Sequence, residues 1–222
     1  MRAALLRSKN CLKGTASDGY DGTMLAEWSV ECSAEDPVLV VPWKGPDGKA
    51  AFVDLRTNPY DFDAIPEAEH HPPLMQALRA LNAARSPVFT AKCDAWPLEG
   101  DELKHLQLNL DVDMGEPHAI RSFGFASYID LVCRERSLFT SFPQHEQLLR
   151  RLTRLATPLD HPAAALDCVL RPALIDLEGP QQGYAFSLYV KALGADQQSA
   201  SREWAAALDA IVAIVRGKDF SR

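Results

Sequence analysis

Hydrophobic and polar positions change period several times along this chain, and each change marks an element. Over 87–97, Phe89, Ala91, Cys93 and Ala95 alternate with Thr90, Lys92, Asp94 and Trp96, the period-two signature of a strand. The same alternation predicts strands over 120–134, 164–175 and 183–193, the last two joined by a Gly- and Pro-containing turn at 178–183. Apolar residues return at helical spacing in three places. Leu74, Leu78 and Leu81 predict a helix over 74–84, ended by Ser86-Pro87; Leu148, Leu152 and Leu155 predict one over 141–156. Trp204, Leu208, Ile211, Val212 and Val215 predict the clearest one, over 197–216, with Gly217 at its stop. Ser141 with Gln144 three residues later is a helix-start pattern.

Around the glycines and proline of 44–48, residues 37–43 and 49–56 read as a hairpin. Residues 1–24 read as an irregular lead-in, 57–73 as a proline-rich loop, and 98–117 carries leucines without a clear period. The order is ββα three times within one domain over 1–222. This predicts an α+β fold, an antiparallel sheet with helices mainly on one face. Its middle, 49–175, reads βαβ-βαβ and so resembles a ferredoxin-like core, with a further strand and helix over 183–216. An aspartate inside an apolar run recurs at Asp54, Asp94, Asp130 and Asp167, as a duplicated unit would give. The core expected from parity contains Cys133, Cys168, Phe123, Phe125, Ile129, Leu166, Leu170, Phe186, Leu188, Trp204, Leu208 and Ile211.

Composition narrows the function classes. The net charge of −7, without a cluster of Lys and Arg on one face, argues against nucleic acid as a partner. Five cysteines, an odd count without a CxxC pair, suit free thiols in a reducing, cytoplasmic setting. No apolar run approaches the ~20 residues of a membrane span, and the N-terminus lacks the apolar stretch of a signal peptide. Neither phosphate-cradling glycine loops nor zinc spacings occur, so no cofactor and no metal is expected. Glu67, Glu69, His70 and His71 lack the i,i+4 spacing that puts two rings on one helical face. His145-Glu146 reads as part of a helix start rather than as catalytic.

If the helices cover the face bearing Phe89, Phe123, Phe125, Ile129 and Leu166, parity sends a polar set to the opposite face. That set contains the candidate binding residues Lys92, Asp94, Tyr128, Asp130, Asp167, Arg171, Tyr189 and Lys191, together with Asp54, Arg56 and Trp96. Gly124, Ala126, Ala185 and Ser187 among them leave room for a depression. Asp94, Asp130 and Asp167 can either raise one another's pKa, as catalytic carboxylates do, or pair with Lys92, Arg171 and Lys191. The second option satisfies each charge locally and is preferred. A solvated sheet face with charges paired across strands is the plainer use of these residues. The functional expectation is a non-enzymatic interaction or binding module using that face. A second copy of the chain, as a homodimer, or another protein is the expected partner. The alternative is an enzyme or small-molecule-binding protein with a carboxylate-lined pocket, Asp94 or Asp130 as base and Arg171 or Lys92 as anion clamp.

Overall fold

The alternating segments pair into one mostly antiparallel sheet, and the segments of helical period pack largely on one of its faces. A computed structural model describes residues 14–15, 22–45, 48, 50–110 and 123–220. Through them run β1 (Gly14–Thr15), β2 (Leu25–Val30), β3 (Leu39–Val41), α1 (Pro66–His70), α2 (Pro72–Asn82) and β4 (Val88–Leu98). There follow α3 (Gly100–Asn109), β5 (Phe123–Cys133), α4 (Arg136–Phe139), α5 (Phe142–Ala156), β6 (Ala164–Asp176), β7 (Pro180–Gly194) and α6 (Gln197–Arg216). The fold is mixed α+β. Its strand order is β1-β2-β6-β7-β5-β4, with β3 also pairing alongside β6. The pairs β4–β5, β5–β7 and β6–β7 are antiparallel, whereas β2 and β3 run parallel to β6. No helix among the described residues is long and apolar enough to cross a membrane.

One face of this sheet carries the main core. Leu78 and Leu81 of α2, Leu149 and Leu152 of α5, and Leu208 and Ile211 of α6 pack on Ile129, Leu166, Cys168 and Leu188. Trp204 is fully buried; its ring lies 4.6 Å from that of Phe125 and its indole N–H donates to Ser127 Oγ at 2.9 Å. The starts of α5 and α6 are capped by side chains. Asp196 accepts from the Ser199 N–H at 2.6 Å and Ser199 Oγ accepts from the Asp196 N–H, a reciprocal capping box. Ser141 accepts from the Gln144 N–H, as its spacing predicts.

Several expectations need correction. The lead-in is not wholly irregular: Gly14–Thr15 pairs with β2, Met24 is buried, and 25–30 is a strand parallel to β6. The hairpin at 37–56 survives as a short arm, bridged between Lys44 and Ala51. Its first limb pairs with β6 and its second runs into turns. The 49–56 limb therefore supplies no opening strand to the first βαβ unit; the strands ahead of α1 and α2 are β1, β2 and β3. Residues 57–73 hold α1 and the start of α2, and 98–117 contains α3; residues 111–117 lie outside the described residues. Phe123, expected in the core, is 45% exposed because it lies at the strand end, opposite Gly194.

Phe89 belongs to the opposite face. The β4–β5 register shifts between Thr90 and Lys92, so Ala91 is an extra residue, a bulge. Val88 and Thr90 before it share a face with Cys93 and Ala95 after it, and Phe89 and Ala91 are turned away from the helices. One inserted residue reverses every parity argument across it.

His145 lies in the first turn of α5, as its place in the sequence predicts, and is fully buried near Tyr184 and Phe186. Its Nδ1–H donates to the Ser141 carbonyl at 3.1 Å, while Nε2 is buried without a hydrogen-bond partner. Burial disfavours the imidazolium and lowers the pKa. The unfolded chain then binds the proton more readily, so stability is complete above about pH 6.5 and falls as pH drops toward the folded pKa. We expect a loss approaching about 1.4 kcal/mol per pH unit in that window, seen in urea unfolding between pH 7.5 and 5. The His145→Leu variant should lack this part of the slope; an unchanged slope would reassign it.

Candidate functional site: a polar trough on the second face

The face away from the main helices carries residues of three kinds in three zones. At one end, Leu106 of α3 and Leu110 just after it pack on Ala126, Ala165 and Leu193. At the other, Leu39, Val41 and Phe52 of the 37–56 arm pack with Phe89, Val132 and Ala185. Small residues are what admit these covers. A Cβ on Gly124 would lie 3.0 Å from side-chain carbons of Leu98 and Leu103. The depression expected at Gly124, Ala126 and Ala185 is thus filled from within the chain. Between the two covers lies a polar strip, the trough, in which Asp130, Ser187, Tyr189 and Val169 are buried.

Cross-strand register orders the strip. One row runs Asp94, Tyr128, Tyr189, Asp167 across β4, β5, β7 and β6; the next runs Lys92, Asp130, Ser187, Val169. All eight candidate binding residues lie on this face, in these two rows or the flanking ones. Asp54 and Arg56 do not sit on a strand. They occupy the turn after the arm, where the Asp54 carboxylate accepts two bonds from Arg56 at 2.9 Å and the guanidinium lies 4.7 Å above the Phe89 ring. That pairing holds the Asp54 carboxyl below its ordinary value.

A continuous network runs through the trough. Arg171 donates from Nε to Glu31 at 2.9 Å, from Nη1 to Ser187 Oγ at 3.0 Å, and from Nη2 to the Tyr189 hydroxyl at 3.3 Å. Ser187 donates in turn to Asp130 Oδ1 at 2.5 Å. Lys191 pairs with Asp167 at 2.6 Å. The expected pairing of aspartates with cations therefore holds directly for Asp167 alone. Arg171 takes Glu31 as its ionic partner and reaches Asp130 only through Ser187. Lys92 faces Asp130 in register, yet its ammonium lies 5.4 Å from the Trp43 ring. Asp94 Oδ1 accepts the next residue's amide, Ala95 N–H, at 2.8 Å.

Asp130 is the unusual group. It is only 7% exposed, and desolvation raises its pKa despite the Ser187 hydrogen bond and the charges of Arg171 and Lys92. Desolvation, followed by the charges of Asp130 and Asp94, also raises the pKa of the Tyr128 phenol; Asp94 is its cross-strand neighbour and Asp130 lies two residues along β5. Three aromatic rings line the strip in sequence: Trp96 to Tyr128 at 6.1 Å and Tyr128 to Tyr189 at 5.8 Å. No family model, curated protein or solved structure matches the chain.

Sequence reasoning missed Glu31 and Trp43. Glu31 follows a strand that went unread, although Leu25, Glu27 and Ser29 alternate with Ala26, Trp28 and Val30 in the pattern applied elsewhere. Trp43 carried no such signal; its indole donates to the Ala91 carbonyl at 2.8 Å, clasping the bulge. The remaining chemistry-bearing groups are placed for packing. Cys133 and Cys168 are buried in the main core, the former with its thiol pushed up to about 12. His71 packs against Phe125 and Trp204, and His70 bonds the Pro66 carbonyl. No cluster of metal-ligating side chains occurs among the described residues.

Proposed function

We propose that the protein is a non-enzymatic binding module, that its site is the polar trough, and that the occupant is a small molecule. The observation that carries this reading is Asp130. A carboxyl group withdrawn from water in the middle of a strip of polar side chains costs stability, since its charged form loses hydration. Its folded pKa lies above the ordinary value, so the folded chain holds the proton more tightly, and this carboxyl costs stability as pH rises toward neutrality. A solvated face needs no such group, whereas binding sites retain residues of this kind.

The groups suited to reaction are already engaged, which supports binding over catalysis. Ser187 Oγ both accepts from Arg171 and donates to Asp130. All three guanidinium nitrogens of Arg171 are bonded, so an anion clamp there would have to break a network. Tyr189 and Val169 are already buried within the folded chain, which removes the main reason for a second copy of the chain to close the face. The order β4-β5-β7-β6 with α5 and α6 on one face supports a ferredoxin-like core of permuted connectivity. Buried free thiols fit a reducing, cytoplasmic setting.

The Asp130→Asn variant tests the reading. It should unfold at the same or a higher urea concentration than the parent at pH 7, within about 1 kcal/mol, and lose the affinity of any ligand that shifts the Tyr128 and Asp94 amide resonances. Destabilisation above about 2 kcal/mol with ligand affinity intact would make Asp130 a structural group.

A further inference from the structure

We infer that the trough takes an organic cation, an ammonium or guanidinium group seated against the Tyr128 ring with Asp130 and Asp94 as counter-charges. This rests on the proposed binding function and adds the chemical class of the ligand.

The argument is one of which groups are already committed. The two cations deepest in the strip are engaged internally, Arg171 with Glu31 and Lys191 with Asp167. Both also lie over the Tyr189 ring, at 6.0 and 5.9 Å, so that ring's capacity for positive charge is in use. Tyr128 differs. It stands between Trp96 and Tyr189, with no cation over its face and no hydrogen bond to its hydroxyl among the described residues. Asp94 is its cross-strand neighbour and Asp130 lies two residues along its own strand. Each carboxylate has one oxygen bonded within the chain and the other without a partner among the described residues. Open acceptors beside an aromatic face are complementary to an ammonium or guanidinium, attracted to the ring quadrupole and donating to the oxygens.

Lys92 completes the case. It faces Asp130 in register but is exposed, with its ammonium 5.4 Å from the Trp43 ring and no ion pair among the described residues. A cationic ligand would do from solution what Lys92 does only at a distance. Lys92 is therefore a competitor for such a ligand and an ally for an anionic one, and its removal separates the two by sign.

The test titrates the full chain with methylammonium chloride, with sodium benzoate, and with sodium chloride at matched ionic strength, following amide resonances of Asp94, Tyr128 and Asp130. Saturating shifts with methylammonium alone are expected. Lys92→Gln should tighten them about threefold, and Tyr128→Leu should weaken them about tenfold, the size of one desolvated cation–π contact. Both positions avoid the main core, and unchanged urea midpoints would show the variants folded. Identical shifts in sodium chloride would overturn the inference. Saturation by benzoate instead, weakened by Lys92→Gln, would also overturn it while leaving the trough a binding site. Saturation by none of the three would remove both the inference and the binding reading.

Discussion

Replacing Trp204 with alanine should lower stability by about 3–5 kcal/mol, the usual cost of emptying an aromatic core site. The indole is fully buried, packs at a tilt against Phe125 at 4.6 Å, and donates to Ser127 Oγ at 2.9 Å. Truncation leaves a cavity where α6 crosses β5 and strands a buried hydroxyl as well. Trp204→Phe separates the two contributions: it keeps most of the volume and loses the hydrogen bond, so about 1–2 kcal/mol is expected from the unsatisfied serine. Urea unfolding of both variants reads the difference. An alanine variant within about 1 kcal/mol of the parent would mean that α6 is not held against the sheet at this point.

The second large effect is expected at Arg171. Its removal as Arg171→Ala leaves Glu31 without its ion pair, Tyr189 and Ser187 without a donor, and Asp130 without its nearest cationic support. Partners abandoned in a part-buried site cost about 2–4 kcal/mol. Arg171→Lys should recover only a fraction, because one ammonium cannot reproduce the planar fork that reaches three side chains. Part of the loss should disappear between pH 7 and pH 5. Without the guanidinium, the Asp130 carboxyl rises further above its ordinary value and takes up its proton more readily. A loss below about 1 kcal/mol at pH 7 would place the network among solvated surface pairs of little consequence.

These two sites were legible in the sequence to different degrees. Trp204 stands at the helical period of a 20-residue apolar stripe, and that periodicity has one three-dimensional consequence, so α6 was bounded at 197–216 from sequence as in the structure. Likewise, Tyr128, Asp130, Asp167, Arg171, Tyr189 and Lys191 face away from the main helices because period-two alternation permits nothing else on unbroken strands. Phe89 failed for the complementary reason. A bulge is a property of the pairing between two strands, and nothing in the run from Val88 to Trp96 marks Ala91 as the extra residue.

By itself, then, the sequence determined α2, α5, α6 and the strands β4 to β7, the two faces of each regular strand, and the free, core-packed state of Cys133 and Cys168, since each follows from spacing along the chain. Tertiary structure alone decided what covers the second face. That α3 and the 37–56 arm close its ends, that Glu31 rather than an aspartate takes Arg171, and that Asp130 is the carboxyl withdrawn from water all depend on strand order and register. These bring together residues as far apart as 31 and 171. The chain's local pattern places a side chain on a face; which neighbours it meets there, and so whether its charge is paired, solvated or buried, is set by contacts between distant segments.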